Sequence, residues 1–117
     1  MTPIELEALC AHWPGVTIDV KWQHNLVFSV SGKMFCIIGL QAHDQHLSFK
    51  VDDARFLELT DRHGVRPAPY LARLKWVTVD SPRSLPQSEL DELIGEAYRT
   101  VAARLAKKTQ RELGLLA

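Results

Sequence analysis

The spacing of hydrophobic residues changes along the chain, and each spacing predicts a different element. Residues 3–12 have apolar side chains at helical intervals, and they follow Thr2, which forms a capping-box pattern with Glu5. Between residues 16 and 51, apolar and polar residues alternate in four short runs separated by turn residues such as Ser31-Gly32. We therefore predict a helix followed by four strands.

The second half of the chain predicts two further helices and one more strand. Asp52 can cap a short helix that ends near Gly64, and residues 75–80 (KWVTVD) read as a strand. The clearest amphipathic stripe then comprises Leu90, Leu93, Ile94, Ala97, Tyr98, Val101, Ala102 and Leu105. Strands joined by short turns pair antiparallel. The predicted fold is therefore α+β: a single antiparallel β-sheet of about five strands, with an N-terminal helix, a short middle helix and a long C-terminal helix packed on one face. We expect residues 1–117 to form one domain.

The alternation predicts that the other sheet face is polar. The residues expected to project from it are Thr17, Asp19, Lys21, Ser29, His46, Ser48 and Lys50. Such a face is either an ordinary solvated surface or a surface that lies against a polyanion, and the pattern alone leaves both interpretations open.

Residues 66–79, RPAPYLARLKWVTV, raise a similar choice. Proline restricts the residue before it to extended conformations, and Pro69 can begin a single helical turn that redirects the chain into the last strand. The stretch is either a packed corner or a functional surface on which Arg73, Lys75 and Trp76 face solvent. In a regular strand Lys75 and Trp76 would point to opposite sides.

The charge balance limits the possible partners. Fourteen basic residues face fourteen acidic ones, so the net charge of zero argues against tight non-specific nucleic-acid binding. A basic cluster near the C-terminus is either a solvated helix end or a phosphate-contacting tail; it comprises Arg99, Arg104, Lys107, Lys108 and Arg111. The sequence has no signal-peptide pattern and no membrane-spanning apolar run, so we expect a cytoplasmic protein without a membrane partner.

The residues that could support catalysis do not form a recognisable constellation. His43 and His46 flank Asp44, but no further ligands complete a zinc site, and we expect neither a metal nor a cofactor. Cys36 lies in an apolar run without a basic neighbour, and we expect it and Cys10 to be buried, reduced thiols. Nucleophile-elbow, phosphate-loop and dinucleotide-binding motifs are all lacking. We therefore expect no enzymatic activity.

Five segments in order resemble the MmcQ/YjbR family. They are WPGV at 13–16, VFSVSGKMFCI at 27–37, LSFKVD at 47–52, PAPYLARLKWVTV at 67–79 and ELIGEAYRTVAARLAKK at 92–108. The resemblance implies a compact α+β fold similar to frataxin-like or secretion-chaperone-like proteins, and a DNA-binding function without established enzymatic activity. It also implies that Lys33, Lys50, Lys75 and Trp76 occupy recurrent family positions. Leu74-Lys75 stands where family members often have a polar residue and a histidine.

Three hypotheses follow. The first is a small non-enzymatic domain that binds DNA, and its candidate site residues are Lys33, Lys50, Arg73, Lys75 and Trp76. The second is a protein-interaction or chaperone-like module that docks through a sheet edge or an apolar patch around Trp13, Trp22 and Trp76. The third is an enzyme or small-ligand binder with a pocket near Tyr70, Trp76 and a histidine.

Overall fold

The computed structural model describes residues 1–81 and 84–116. In chain order its elements are α1 (Pro3–Cys10), β1 (Val16–Lys21), β2 (Asn25–Val30), β3 (Lys33–Gly39), β4 (Leu47–Lys50), α2 (Asp53–Thr60), β5 (Val65–Pro67), a 3-10 turn (Ala72–Leu74), β6 (Trp76–Val79), α3 (Gln87–Ala102) and α4 (Lys107–Glu112). The predicted capping residues are confirmed at the starts of two helices. Thr2 and Glu5 form the capping box of α1, and the Asp52 side chain accepts a hydrogen bond from the Arg55 backbone N–H at the start of α2.

The strands form one antiparallel sheet in the order β1-β2-β3-β4-β6-β5, which confirms the predicted α+β class. The sixth strand is β5, which lies at an edge of the sheet where the sequence predicted only an extended stretch before proline. Its residues Val65, Arg66 and Pro67 are opposite Val79, Thr78 and Val77. Proline is compatible with such an edge position because its missing N–H need not serve a further strand.

The helices cover one face of the sheet, as the strand pattern predicts. Their apolar side chains and those of the inner strand positions form the main core, which includes Leu6, Phe28, Phe49, Leu90 and Ile94, all fully buried. Burying this apolar surface is the main stabilising contribution to the fold. Among the described residues, no helix is both long enough and apolar enough to cross a membrane.

A β-bulge in β3 controls which side chains reach each face. Phe28 is opposite Cys36, but the next residue, Ser29, is opposite Met34, which leaves Phe35 as the extra residue. Phe35 and Cys36 therefore both enter the main core, although they are consecutive. Met34 in turn packs on the opposite face.

The C-terminal helix is shorter than its apolar stripe predicts. α3 ends at Ala102, and Leu105 of the predicted stripe lies in the turn before α4. The side chain of Gln110, in α4, donates hydrogen bonds to the carbonyl oxygens of Ala103 (3.1 Å) and Leu105 (2.7 Å). These hydrogen bonds satisfy backbone carbonyl groups next to the end of α3, where carbonyl groups have no partner within the helix. Leu105 nevertheless packs against the main core, so the apolar stripe continues beyond the end of α3.

Candidate functional site

The sheet face opposite the helices, here called the outer face, is only partly polar. It carries a second apolar cluster of four buried residues, Val27, Ile37, Ala68 and Trp76. Residues 68–75 run across this face and are here called the crossing segment. Ser29, Ser48 and Lys50 are buried there, so the prediction that they are solvated is wrong. Thr17, Asp19 and Lys21 on edge strand β1 are exposed as predicted.

Backbone hydrogen bonds hold the crossing segment in a compact turn. The Ala68 N–H donates to the Trp76 carbonyl (3.0 Å), and the Trp76 N–H donates to the Leu71 carbonyl (3.2 Å). Lys75 ends the 3-10 turn in a left-handed conformation, with φ of 61°, so the strand begins at Trp76 rather than at Lys75. The stretch with two prolines is therefore a packed corner, and its sides form the walls of two grooves.

The first groove, here called the basic groove, has a volume of about 480 Å³. The second groove, beside it, is larger, with a volume of about 670 Å³. Three cationic residues line it: Lys33, Lys50 and Arg104. Its remaining walls are apolar, with Met34 and Leu71 among them, and no described residue that lines it is acidic. A cleft with charges of one sign and apolar walls concentrates the electrostatic potential and attracts anions.

Lys50 is the most deeply buried of the three cations that line the basic groove. Only 6% of the residue is exposed, and its ammonium group donates a hydrogen bond to the Leu74 carbonyl. The pKa of Lys50 is lowered, first by burial and then by the charge of Arg104; Lys75 lowers it further. Asp53 and Asp52 oppose this effect. An anion in the groove would oppose the effect of the cationic neighbours on this pKa, although not the effect of burial.

The groove brings together only part of the predicted site. Lys33, Lys50 and Trp76 line it, but Trp76 is only 4% exposed and cannot stack on a partner. Lys75 does not line it, because its ammonium group lies 5.0 Å from the ring centroid of Phe56. Arg73 is exposed on the 3-10 turn and lines neither groove.

Arg104 was missed as a site residue. The sequence places Arg104 in the basic cluster near the C-terminus. Its position in the same groove as Lys33 of β3 and Lys50 of β4 depends on where α3 ends against the sheet. Among residues 1–81 and 84–116, the ion pairs of arginine with carboxylates involve Arg55, Arg62 and Arg66. None of these ion pairs in the described part of the chain includes Arg104, Lys33 or Lys50.

The second groove, here called the aromatic groove, has a volume of about 670 Å³. Trp22 and Tyr70 line it together with Ile37, and its polar residues include Ser48 and Thr78. The third sequence hypothesis placed a pocket near Tyr70, Trp76 and a histidine. The groove contains Tyr70 and His46, whereas Trp76 belongs to the basic groove.

The three tryptophans do not form the apolar patch that the second hypothesis offered as one of its two docking sites. Trp13 packs on Phe35 and Tyr98, with ring centroids at 6.3 and 5.1 Å, on the helical side of the sheet. Trp76 is buried on the outer face, and Trp22 is 62% exposed. The proposed patch is therefore wrong, because the sheet separates its members.

Of the two histidines that flank Asp44, His46 is hydrogen-bonded to it. His46 Nδ1 lies 2.8 Å from Asp44 Oδ1, and this hydrogen bond lowers the pKa of Asp44. Within the described ranges 1–81 and 84–116, no cluster of three or more metal-ligating side chains occurs.

We predict that neither cysteine reacts with a thiol reagent such as dithionitrobenzoate while the protein is folded. Burial, followed by the charge of Asp91, raises the pKa of Cys10 to about 12, and burial raises the pKa of Cys36. Since the thiolate is the reactive form, both thiols are inert near neutral pH. We expect both to be labelled after unfolding in urea. Rapid labelling of one thiol in the native protein would contradict this assignment.

Comparison with known proteins relates the chain to one family. A family model named YjbR matches residues 11–100. The structure resembles that of Deinococcus radiodurans protein DR2400, which has a DUF419 domain. The TM-score is 0.88 and the sequences are 29% identical over 98% of this chain and 89% of that chain.

A second similar structure is that of a protein from Pseudomonas syringae. Its TM-score is 0.68 and its identity 19%, over 86% of this chain and 98% of that chain, and at this identity the likeness shows the fold alone. No curated protein matches the sequence.

Proposed function

The chain belongs to the YjbR family, and from this premise we propose that it is a small non-enzymatic domain that binds DNA through the basic groove. The observation that carries the proposal is the convergence of Lys33, Lys50 and Arg104 in one groove whose described lining contains no acid. Phosphate contacts by lysine and arginine supply most of the affinity of sequence-independent DNA binding.

The zero net charge predicts that this binding is weak and depends on the local groove. Distant acidic residues cancel the long-range attraction, and only contacts within about one Debye length contribute substantially. Two phosphate contacts, from Lys33 and Arg104, would give a slope of about −2 in a plot of log affinity against log salt concentration.

We predict that replacing Lys33 or Arg104 by alanine weakens duplex DNA binding about fivefold at low salt, the upper range for one exposed ion pair. Each substitution should also reduce the magnitude of the salt slope by about 1. The measurement is fluorescence anisotropy of a labelled duplex, titrated between about 50 and 200 mM salt.

Lys21→Ala is the matched control, because Lys21 is an exposed lysine of β1 that lines neither groove. It removes the same charge from the chain and should leave the affinity nearly unchanged. The proposal fails if the duplex does not bind at low salt with the protein at about 10⁻⁴ M. It also fails if the control weakens binding as much as Arg104→Ala.

A further inference from the structure

We propose that the outer face selects single-stranded nucleic acid, with an unpaired base in the aromatic groove and the sugar-phosphate backbone along the basic groove. The inference rests on the proposed function, and it names the form of nucleic acid that the site accepts. Three features of the aromatic groove and its surroundings support it.

The first feature is a pair of exposed aromatic rings on strained backbone. Trp22, in the turn between β1 and β2, is 62% exposed with φ of 51°, and Tyr70, in the crossing segment, is fully exposed with φ of 66°. Left-handed backbone is unfavourable for bulky residues, and glycine would adopt it without this cost. At Trp22 the left-handed conformation belongs to the hairpin turn, because Gln23 shares it with φ of 70°. Tyr70 gains nothing from burial, so its strain points to a role for the ring itself. Exposed aromatic rings bind unpaired bases by stacking.

The second feature is a pair of buried hydroxyl groups in the same groove. Ser48 Oγ and Thr78 Oγ1 are 2.8 Å apart, and the two residues are only 6% and 1% exposed. Two hydroxyls carry two protons, and their mutual hydrogen bond uses one of them. No second partner for either hydroxyl occurs among the described residues 1–81 and 84–116. The remaining O–H can therefore donate to a carbonyl or ring nitrogen at the edge of a base.

The third feature is the adjacency of the two grooves. Met34 and Leu71 line both of them, so the grooves lie side by side, and a strand that leaves the aromatic groove reaches the basic groove by crossing these two apolar side chains. The volume of the aromatic groove, about 670 Å³, is within the range of about 300–1,000 Å³ that is typical of small-ligand sites. Cations beside exposed aromatic rings match the alternation of phosphate and base in a single strand. A peptide would find no counterpart to the cations of the basic groove unless it were acidic.

The test compares a labelled oligothymidylate with its duplex formed with oligoadenylate, using fluorescence anisotropy and the full chain. We expect the single strand to bind more tightly than the duplex. Replacing Trp22 or Tyr70 by alanine should weaken single-strand binding about tenfold, the loss typical of one stacked base, and should leave duplex binding unchanged. Val20→Ala is the control, since Val20 is an exposed apolar residue that lines neither groove.

Glycine substitutions separate a binding role from a structural one. Trp22→Gly and Tyr70→Gly remove the ring and also relieve the left-handed strain, so we expect thermal stability to be kept while single-strand affinity falls. If these variants lose stability instead, and keep their single-strand affinity, the rings are structural and the inference is overturned.

The remaining outcomes distinguish the two proposals. Equal affinity for both forms, with no effect of either aromatic substitution, overturns base stacking and leaves the basic groove as a duplex site. Absence of salt-dependent binding to either form overturns the proposed function itself. Thymidine monophosphate that binds as tightly as the oligonucleotide would show a free-nucleotide site and would also overturn the inference.

Discussion

Replacing Phe35 by alanine is expected to destabilise the protein by about 3–5 kcal/mol, the usual cost of removing a fully buried aromatic ring. The ring of Phe35 packs on three others, with centroid distances of 6.3 Å to Trp13, 6.4 Å to Phe28 and 5.6 Å to Tyr98. Its removal leaves a cavity that joins β2, β3, α3 and the turn after α1. Since small domains have only about 5–15 kcal/mol of stability, this loss is a large fraction of the total.

Urea unfolding followed by circular dichroism measures this effect as a lower midpoint at an unchanged slope. Leu57→Ala is the control, because Leu57 lies on α2 and is 73% exposed, and it should change the stability by less than about 0.5 kcal/mol. A loss below about 1 kcal/mol for Phe35→Ala would show that the bulge residue is not part of a tightly packed core.

Replacing Gly39 by alanine is expected to cost about 3 kcal/mol or more, at or above the upper range for overpacking. A Cβ atom on Gly39 would lie 2.0 Å from the backbone carbonyl oxygen of Asp44, which is far inside van der Waals contact. The Gly39 N–H also donates to the His46 carbonyl (3.0 Å), so the two backbones cannot separate without breaking this bond. Thermal or urea unfolding of the variant measures the loss.

Gly95→Ala provides a control with the same chemical change. Gly95 lies inside α3, and the nearest contact of a Cβ atom there would be the guanidinium group of Arg99, at 3.2 Å. That group is the end of a flexible side chain, and alanine favours a helix over glycine by about 1 kcal/mol. We expect this variant to be as stable as the original protein or more stable. If Gly39→Ala were equally well tolerated, the close approach of β3 to residues 44–46 would be refuted.

The same substitution at Gly39 should also affect the aromatic groove. Asp44 and His46 both line that groove, and their backbone positions depend on the approach to Gly39. A folded fraction of Gly39→Ala should therefore bind a single strand more weakly, whereas the basic groove, which neither residue lines, should keep its salt-dependent contacts.

The periodic patterns were sufficient to predict most of the secondary structure. Alternation in residues 16–51 predicted four strands, and the cap at Asp52 predicted α2, because these signals act over a few residues. The one-sided placement of the helices also followed from the sequence, since an antiparallel sheet with an apolar face needs a cover on that face. The third strand was also predicted correctly. Its β-bulge was not predicted, because the spacing of KMFCII does not reveal it.

Two features of the site required the tertiary structure. Lys50 reads as a solvated strand residue, but the crossing segment covers it and supplies the Leu74 carbonyl as its partner. Arg104 reads as part of a charged helix end, but the turn after α3 brings it to the groove that Lys33 also lines. Both depend on contacts between residues more than twenty positions apart, and such contacts leave no local periodicity.

The sequence by itself determined the α+β class, the antiparallel sheet, the helix caps and the family resemblance, because each depends on local spacing or on residue identity. Only the tertiary structure decided that the outer face is partly covered, that Trp76 is buried and that the cations converge beside an aromatic groove. The physical reason is that side-chain exposure depends on which distant segment packs over a strand, and residues 68–75 take that place through backbone hydrogen bonds with Trp76 that leave no periodic pattern in the sequence.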